Sequence, residues 1–227
     1  MLINQLGILI CAYNEEAQID FLVRKILPHN PFEIVVIDDG SSDNTAALAQ
    51  QAGATVLRNR KNLGKGSSLK RGFKYFINKK IDAVIVLDGD GQHDPNEIQN
   101  FIDTFDRTRI PVLIGNRMAD TKGMPTIRKL ANTFMSFVLN RLTKIYIPDP
   151  PCGFRFYTID VLPFITSEEQ RFAFEFDVLI MAAKRKIRID SVRVSTIYKN
   201  KQSSHIAPFR DSWLFAKVVW RHLFMNN

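Results

Sequence analysis

The strongest constraint on this chain is an alternation that runs through its first half. Short runs of strand-forming residues at 7–12, 33–37, 55–57, 84–87 and 111–114 are separated by stretches of helical periodicity. Ile19, Leu22, Val23 and Ile26, for example, share one helical face. A β-α-β-α order of this kind argues an α/β fold, with a mostly parallel central sheet and helices on both faces. Each strand runs into a polar turn. In such folds the ligand crevice lies outside the carboxyl ends of the strands, so these turns are expected to converge on one edge.

The most informative turn is Asp88-Gly89-Asp90-Gly91-Gln92-His93-Asp94-Pro95. On extended backbone Asp88 and Asp90 point to the same side. Gly89 and Gly91 let the chain turn and a bulky ligand approach. Two hard oxygen ligands, with Gln92 as a third, suit Mg²⁺ or Mn²⁺ rather than zinc. A solvated acidic turn accounts for Asp94-Pro95, which opens the next helix as N-cap and first helical residue. It leaves the repulsion between Asp88 and Asp90 without an offset. Earlier turns read as caps, Asn14 for a helix reaching about Leu27 and Ser42 or Asp43 for one reaching Ala52. Gly64-Lys65-Gly66 opens a further helix. It is either an anion site, built from free N–H groups, the helix dipole and an ammonium, or a glycine-rich turn with a solvated lysine. The P-loop spacing is absent.

The second half changes character. A helix is expected over 126–145, then the rigid turn Asp149-Pro150-Pro151-Cys152-Gly153, a helix over 172–185 carrying Glu175 and Asp177, and a strand over 189–197. A basic loop at 198–208 follows, and a last helix over about 213–225 capped by Asp211. Residues 1–210 read as one catalytic-sized domain and 211–227 as an amphipathic C-terminal helix. The helix over 126–145 and the last helix, with Trp213 and Trp220 beside Lys217, Arg221 and His222, either pack on the sheet or lie in a membrane interface.

The net charge of +8 is unevenly spread: residues 58–80 hold basic side chains and no acidic one. That implies anionic partners, such as a nucleotide, a phosphorylated substrate or an anionic membrane surface. Nucleic acid is disfavoured, since no recognition pattern accompanies the charge. Two cysteines, Cys11 and Cys152, give neither a disulfide framework nor metal spacing and fit a reducing, cytoplasmic setting. No apolar run of transmembrane length occurs, and the N-terminal stretch reads as a strand rather than a signal peptide.

Taken in order, Ile10-Cys11-Ala12-Tyr13-Asn14-Glu15-Glu16, Val36-Ile37-Asp38-Asp39-Gly40-Ser41-Ser42-Asp43, Asn62-Leu63-Gly64-Lys65-Gly66 and Asp88-Gly89-Asp90-Gly91-Gln92-His93 resemble the family 2 glycosyltransferases of GT-A fold. Within them the chain is most similar to the dolichol-phosphate mannosyltransferase and polyprenyl-phosphate glycosyltransferase group. The resemblance implies a nucleotide diphosphate sugar donor held around Cys11, Ala12, Tyr13, Glu15, Asp38, Asp39, Lys65 and Gly89. It implies a cation on Asp88, Asp90 and Gln92, and an acceptor phosphate met by Arg117 and Arg128. Cys11 stands where the family usually has proline. Many members of the group continue into transmembrane helices, which bears on the acceptor more than on the donor.

The mechanism so implied is an inverting displacement at the anomeric carbon. Lys65, or Lys199, Lys201 and His205 in a loop closing over the diphosphate, would steady the leaving group; Lys199 and Lys201 also read as solvated charges. A lipid-phosphate acceptor needs no protein base. A sugar hydroxyl does, and Glu175 and Asp177 are its candidates; two apart on a helix, they do not share a face. The enzyme is expected peripherally at the cytoplasmic face of a membrane, with a membrane-protein partner as an open possibility. A sugar nucleotidyltransferase is disfavoured, because the first turn lacks that class's glycine- and arginine-rich loop. An inactive nucleotide-sugar-binding homologue is the non-enzymatic alternative.

Overall fold

The computed structural model describes residues 3–165, 167, 173–197 and 216–222. Strands β1 (Leu6–Ala12), β2 (Glu33–Asp38), β3 (Thr55–Arg58), β4 (Ala83–Asp88), β5 (Val112–Asn116), β6 (Arg155–Thr158) and β7 (Ile189–Arg193) form one sheet in the order β3-β2-β1-β4-β6-β5-β7. The helices are α1 (Ile19–Ile26), α2 (Thr45–Gln51), α3 (Lys65–Lys79), α4 (Ile98–Thr108), α5 (Thr126–Thr143), α6 (Leu162–Ile165) and α7 (Ala173–Lys184).

The central strands are apolar throughout because both faces are covered. Ile8 and Ile10 of β1 pack with Ile19, Leu22, Val23 and Ile26 of α1, and with Phe101 and Phe105 of α4. Leu9 points the other way, to Leu69, Phe73 and Phe76 of α3 and to Phe174 and Val178 of α7. Two cores on opposite faces fix the register, since a one-residue slip would exchange them.

β1 pairs in parallel with β2 and with β4, and β2 with β3. The parallel run ends there. β6 is inserted antiparallel between β4 and β5, and β5 then pairs in parallel with β7. The sequence reading has no strand at β6. Its four residues are buried on both faces, so no alternation marks them. They also follow a Pro-Pro turn, which gives no sign of direction.

Other boundaries move for local reasons. Asn14 is not a helix cap. It adopts a left-handed conformation (φ 56°) and ties two post-strand turns together, accepting from Ser42 N at 2.9 Å and donating its own N–H to Ser41 Oγ at 2.9 Å. α1 therefore begins only at Ile19. β7 ends at Arg193, four residues short of the expected strand. The chain beyond still hydrogen-bonds, Val194 N to Asn116 O at 3.2 Å and Ile197 N to Gln92 O at 3.0 Å. Asp94 caps the turn Pro95–Glu97 that leads into α4, by accepting from Asn96 N.

Residues 216–222 are helical and pack on the domain, with Val218 fully buried. No helix among the described residues is long and apolar enough to cross a membrane. The basic loop, including Lys199, Lys201 and His205, lies outside the described residues, as do Asp211 and Trp213.

Candidate active site

The chain goes from β1 outward to β2 and β3, then crosses back to place β4 on the other side of β1. The strand order reverses between β1 and β4, which is where a crevice opens at the carboxyl edge of such a sheet. The register puts Cys11 opposite Asp88 and Ala12 opposite Asp38. Gly89 N–H bonds to Cys11 O at 3.0 Å. The acidic turn after β4 and the polar turns after β1 and β2 are therefore neighbours, although far apart in sequence.

Asp88 has a partner on each oxygen. Lys65 Nζ lies 2.6 Å from Oδ1 and His93 Nε2 3.3 Å from Oδ2. Burial opposes the charged form of Asp88, but Lys65 and His93 outweigh it and hold the carboxyl far below the usual carboxylate range. His93 is itself buried and packs against the Phe154 ring at 5.2 Å. Asp90 has the opposite fate. Burial and then the nearby Asp88 charge push its carboxyl up, although Gln92 N donates to Oδ1 at 3.0 Å. Glu15 is pushed up to about 8, by burial first and then by Asp90 and Asp88. Three acids thus share one corner with too little positive charge.

That surplus bears on a cation. Among the described residues no three acidic, histidine or cysteine side chains converge to hold an ion. Mg²⁺ and Mn²⁺ bound with a nucleotide need fewer, since one or two carboxylates suffice when phosphate oxygens complete the shell. The under-compensated Asp90, beside Asp88 and Glu15, fits such an ion.

Lys65 is not a solvated lysine. Its Nζ lies 3.0 Å from Glu175 Oε1 as well as against Asp88, so α7 supplies the far side of its cage. Gly153 presses on the same group: a Cβ there would stand 2.7 Å from Lys65 Nζ. Arg155, fully buried, staples this wall together by donating to Cys152 O at 2.8 Å, Pro150 O at 2.6 Å and Glu175 O at 2.9 Å.

Asp177 turns away from this centre, as the helical spacing requires. It accepts from Ser167 Oγ, Arg221 Nη2 and His222 Nε2, which fastens the segment 216–222 to α7. Asp38 and Asp39 shape the turns. Asp38 accepts from Ser41 N at 3.0 Å and faces Arg58 Nε at 3.0 Å. Asp39 takes Asn59 Nδ2 at 2.6 Å and Gly64 N at 2.7 Å, and so caps α3. Gly40 between them and the loop has φ +77°, and a Cβ would come within 2.6 Å of the Lys61 carbonyl carbon. Tyr13 is exposed at the rim. Cys11 and Cys152 are both free thiols, and burial pushes Cys152 up to about 12.

Arg117 follows β5 and is buried. Asp149 takes its Nε at 2.7 Å and Nη2 at 2.8 Å, and also its backbone N–H at 3.0 Å. Asn132 of α5 donates to the same carboxylate at 3.3 Å. Arg128 lies partly exposed in the first turn of α5. The opposite face of α5 is apolar and open: Ile127, Leu130, Phe134 and Phe137 are each at least 63% exposed.

The sequence reading passes over Asp149, Arg155, Gly153 and His93 as site residues. Asp149 reads as part of a turn, and nothing in its spacing announces an arginine partner 32 residues upstream. His93 is visible only as the end of the acidic motif. A groove of about 690 Å³ between α4 and β7, lined by Asp103, Arg107, Asp120 and Arg193 among others, shares none of these residues. The convergence of charge, not this groove, marks the site.

The sequence model of the family described as Glycosyl transferase family 2 matches residues 7–164. A UDP-N-acetylglucosamine–dolichyl-phosphate N-acetylglucosaminyltransferase of Methanococcus voltae is 27% identical over 213 residues, covering 84% of this chain and 85% of that one. A dolichyl-phosphate beta-glucosyltransferase of Dictyostelium discoideum is 28% identical over 243 residues, covering 95% of this chain and 73% of that one. Among solved structures, glucosyl-3-phosphoglycerate synthase from Mycobacterium tuberculosis, in complex with Mn²⁺, UDP-glucose and phosphoglyceric acid, superposes with a TM-score of 0.75 at 18% identity, over 95% of this chain and 80% of that one.

Proposed function

The chain belongs to glycosyl transferase family 2, and on that premise we propose that it moves a hexosyl group from a nucleotide diphosphate sugar, GDP-mannose or a UDP-hexose, to a polyprenyl or dolichyl phosphate. The reaction inverts the anomeric carbon and takes place at the cytoplasmic face of a membrane, to which the protein binds peripherally. The lipid-phosphate acceptors named for the relatives support this reading. The observation that carries it is the double use of α5. Its inner face reaches the Arg117–Asp149 pair through Asn132, and its outer face offers an exposed apolar stripe. A phosphate-binding arginine and a lipid-facing surface are thereby joined by one helix.

On the donor side, Asp88 and Asp90, with Gln92, would hold Mg²⁺ or Mn²⁺, which when bound neutralises charge on the departing diphosphate. The solved neighbour's Mn²⁺ complex is consistent with that cofactor. The turns organised by Asp38 and Asp39 shape the nucleotide pocket with Cys11, Ala12, Tyr13 and Glu15 at its border. On the acceptor side, Asp149 engages Nε and Nη2 of Arg117, which leaves Nη1 as the group that would meet the phosphate, with Arg128 as second anchor. A lipid monophosphate is largely ionised near neutrality, its second pKa being about 6. It attacks without a protein base, and positioning suffices.

The acids of α7 favour this acceptor over a saccharide hydroxyl. Glu175 Oε1 is paired with Lys65, and Asp177 with Arg221 and His222, so both carboxylates already serve ion pairs. An inactive nucleotide-sugar-binding homologue has no need of Asp88, Asp90 and Arg117 held in this order.

The test is transfer of label from a panel of radiolabelled GDP- and UDP-sugars to undecaprenyl or dolichyl phosphate in detergent with Mn²⁺. Label is expected in the organic phase with one donor, and Asp90→Asn should remove it. Label that reaches only water or a free saccharide would sink the lipid-phosphate reading.

A further inference from the structure

Lys65 is placed against local preference. It sits in the first turn of α3, where the helix dipole disfavours a cation, and only 14% of its side chain is open to solvent. Two acids hold it there. The ammonium is 2.6 Å from Asp88 Oδ1 and 3.0 Å from Glu175 Oε1. Glu175 Oε2 is buried with no hydrogen-bond partner among the described residues. The ammonium therefore occupies one oxygen of Asp88, a carboxylate read as a cation ligand, and lies beside a second carboxylate with an oxygen to spare. Backbone at Gly153 closes in on it from a further side.

We propose that Lys65 is a built-in counter-ion for Asp88 in the unliganded protein, that a divalent cation must take Asp88 from it, and that Glu175 is the carboxylate on which the ammonium then rests. The inference rests on the reading of Asp88 and Asp90 as cation ligands. It gives Glu175 a task other than proton transfer, and makes cation binding and nucleotide binding cooperative. A diphosphate adds the negative charge that lets the ion and the ammonium stay in one crevice.

The measurement is Mn²⁺ binding to nucleotide-free protein, followed by electron paramagnetic resonance of the free ion, with circular dichroism to confirm folding. Lys65→Met, which removes the competitor and leaves Asp88 with His93 alone, should bind Mn²⁺ more tightly by about tenfold or more. Lys65→Gln serves where the Met variant does not fold. Glu175→Gln removes the resting place and should weaken binding in the wild-type background, but much less in Lys65→Met, so the two changes are coupled. Unchanged or weaker binding by folded Lys65→Met, or an equal effect of Glu175→Gln in both backgrounds, overturns the proposal. If wild type binds Mn²⁺ with UDP or GDP while Lys65→Met gains nothing without nucleotide, only this inference falls. If neither protein binds Mn²⁺ with or without nucleotide, the cation reading of Asp88 and Asp90 falls with it.

Discussion

Glu15 carries the clearest consequence of the crowded acids. Its carboxyl is pushed up to about 8, by burial and then by Asp90 and Asp88. The folded protein therefore keeps a proton that the unfolded chain releases above about 4.3. Between those two values the folded state binds more protons, so stability falls as pH rises and levels off above about 8. Glu15→Gln should flatten that part of the pH–stability curve of metal-free protein, giving a higher melting temperature than wild type at pH 8 and little difference at pH 4.5. Equal curves would mean that the acids do not interact as the geometry requires. The Arg117–Asp149 pair makes a second residue-scale prediction. Both side chains are buried and bonded at two points, so Asp149→Asn leaves a guanidinium without its counter-charge. A loss of about 3–5 kcal/mol is expected in urea denaturation. A loss under ~1 kcal/mol would show that Arg117 finds another partner. Much of this chemistry is legible in the sequence as residue types: Asp88 and Asp90 announce themselves at a strand end, and Arg117 at the end of β5. Their partners are not legible. Lys65, Asp88 and Glu175 come from α3, β4 and α7, and only the folded sheet brings them together.

At the scale of the element, α5 is the helix whose faces only the fold could assign. Its sequence shows apolar residues on several faces, and periodicity alone does not say which of them pack. In the fold Leu139 is buried in the core, Met135, Val138 and Leu142 pack against it, and Ile127, Leu130, Phe134 and Phe137 face out. Exposed apolar rows of this length mark interaction surfaces, and Lys129 and Arg141 beside them suit an anionic lipid surface. The double variant Phe134→Asp with Phe137→Asp should lower flotation with anionic liposomes by about tenfold or more, since each buried phenylalanine contributes about 1.5–3 kcal/mol. It should change folding stability by no more than about 0.5 kcal/mol per site. Undiminished flotation would assign the stripe another partner. Other elements were legible for good local reasons. α3 announces its start by Gly64-Lys65-Gly66, Asp94-Pro95 announces the turn that leads into α4, and α7 is marked by apolar residues on both sides of Glu175 and Asp177. α1 was misplaced at its start because Asn14, a good cap by type, is used to bridge two turns.

For the whole molecule, the alternation of strands and helices was enough to bring the polar turns after β1, β2 and β4 to one edge. Parallel strands must present their carboxyl ends together, and the crevice follows from the reversal of strand order between β1 and β4. The antiparallel β6 could not be read from the sequence, yet it matters to the site. It pairs Arg155 with Val86 of β4 and anchors the turn whose Gly153 backs onto Asp88, so this wall and the acids come from the same sheet. The account's central claim is that this edge binds a nucleotide diphosphate through a divalent cation on Asp88 and Asp90. Titration calorimetry of UDP and GDP into the protein, with Mn²⁺ and with a chelator, tests it most directly. The account predicts binding of one nucleotide that depends on Mn²⁺ and is weakened at least about tenfold by Asp90→Asn, a loss of some 1.4 kcal/mol or more. Equal binding with and without the ion, or an Asp90→Asn variant that binds as wild type does, would contradict it.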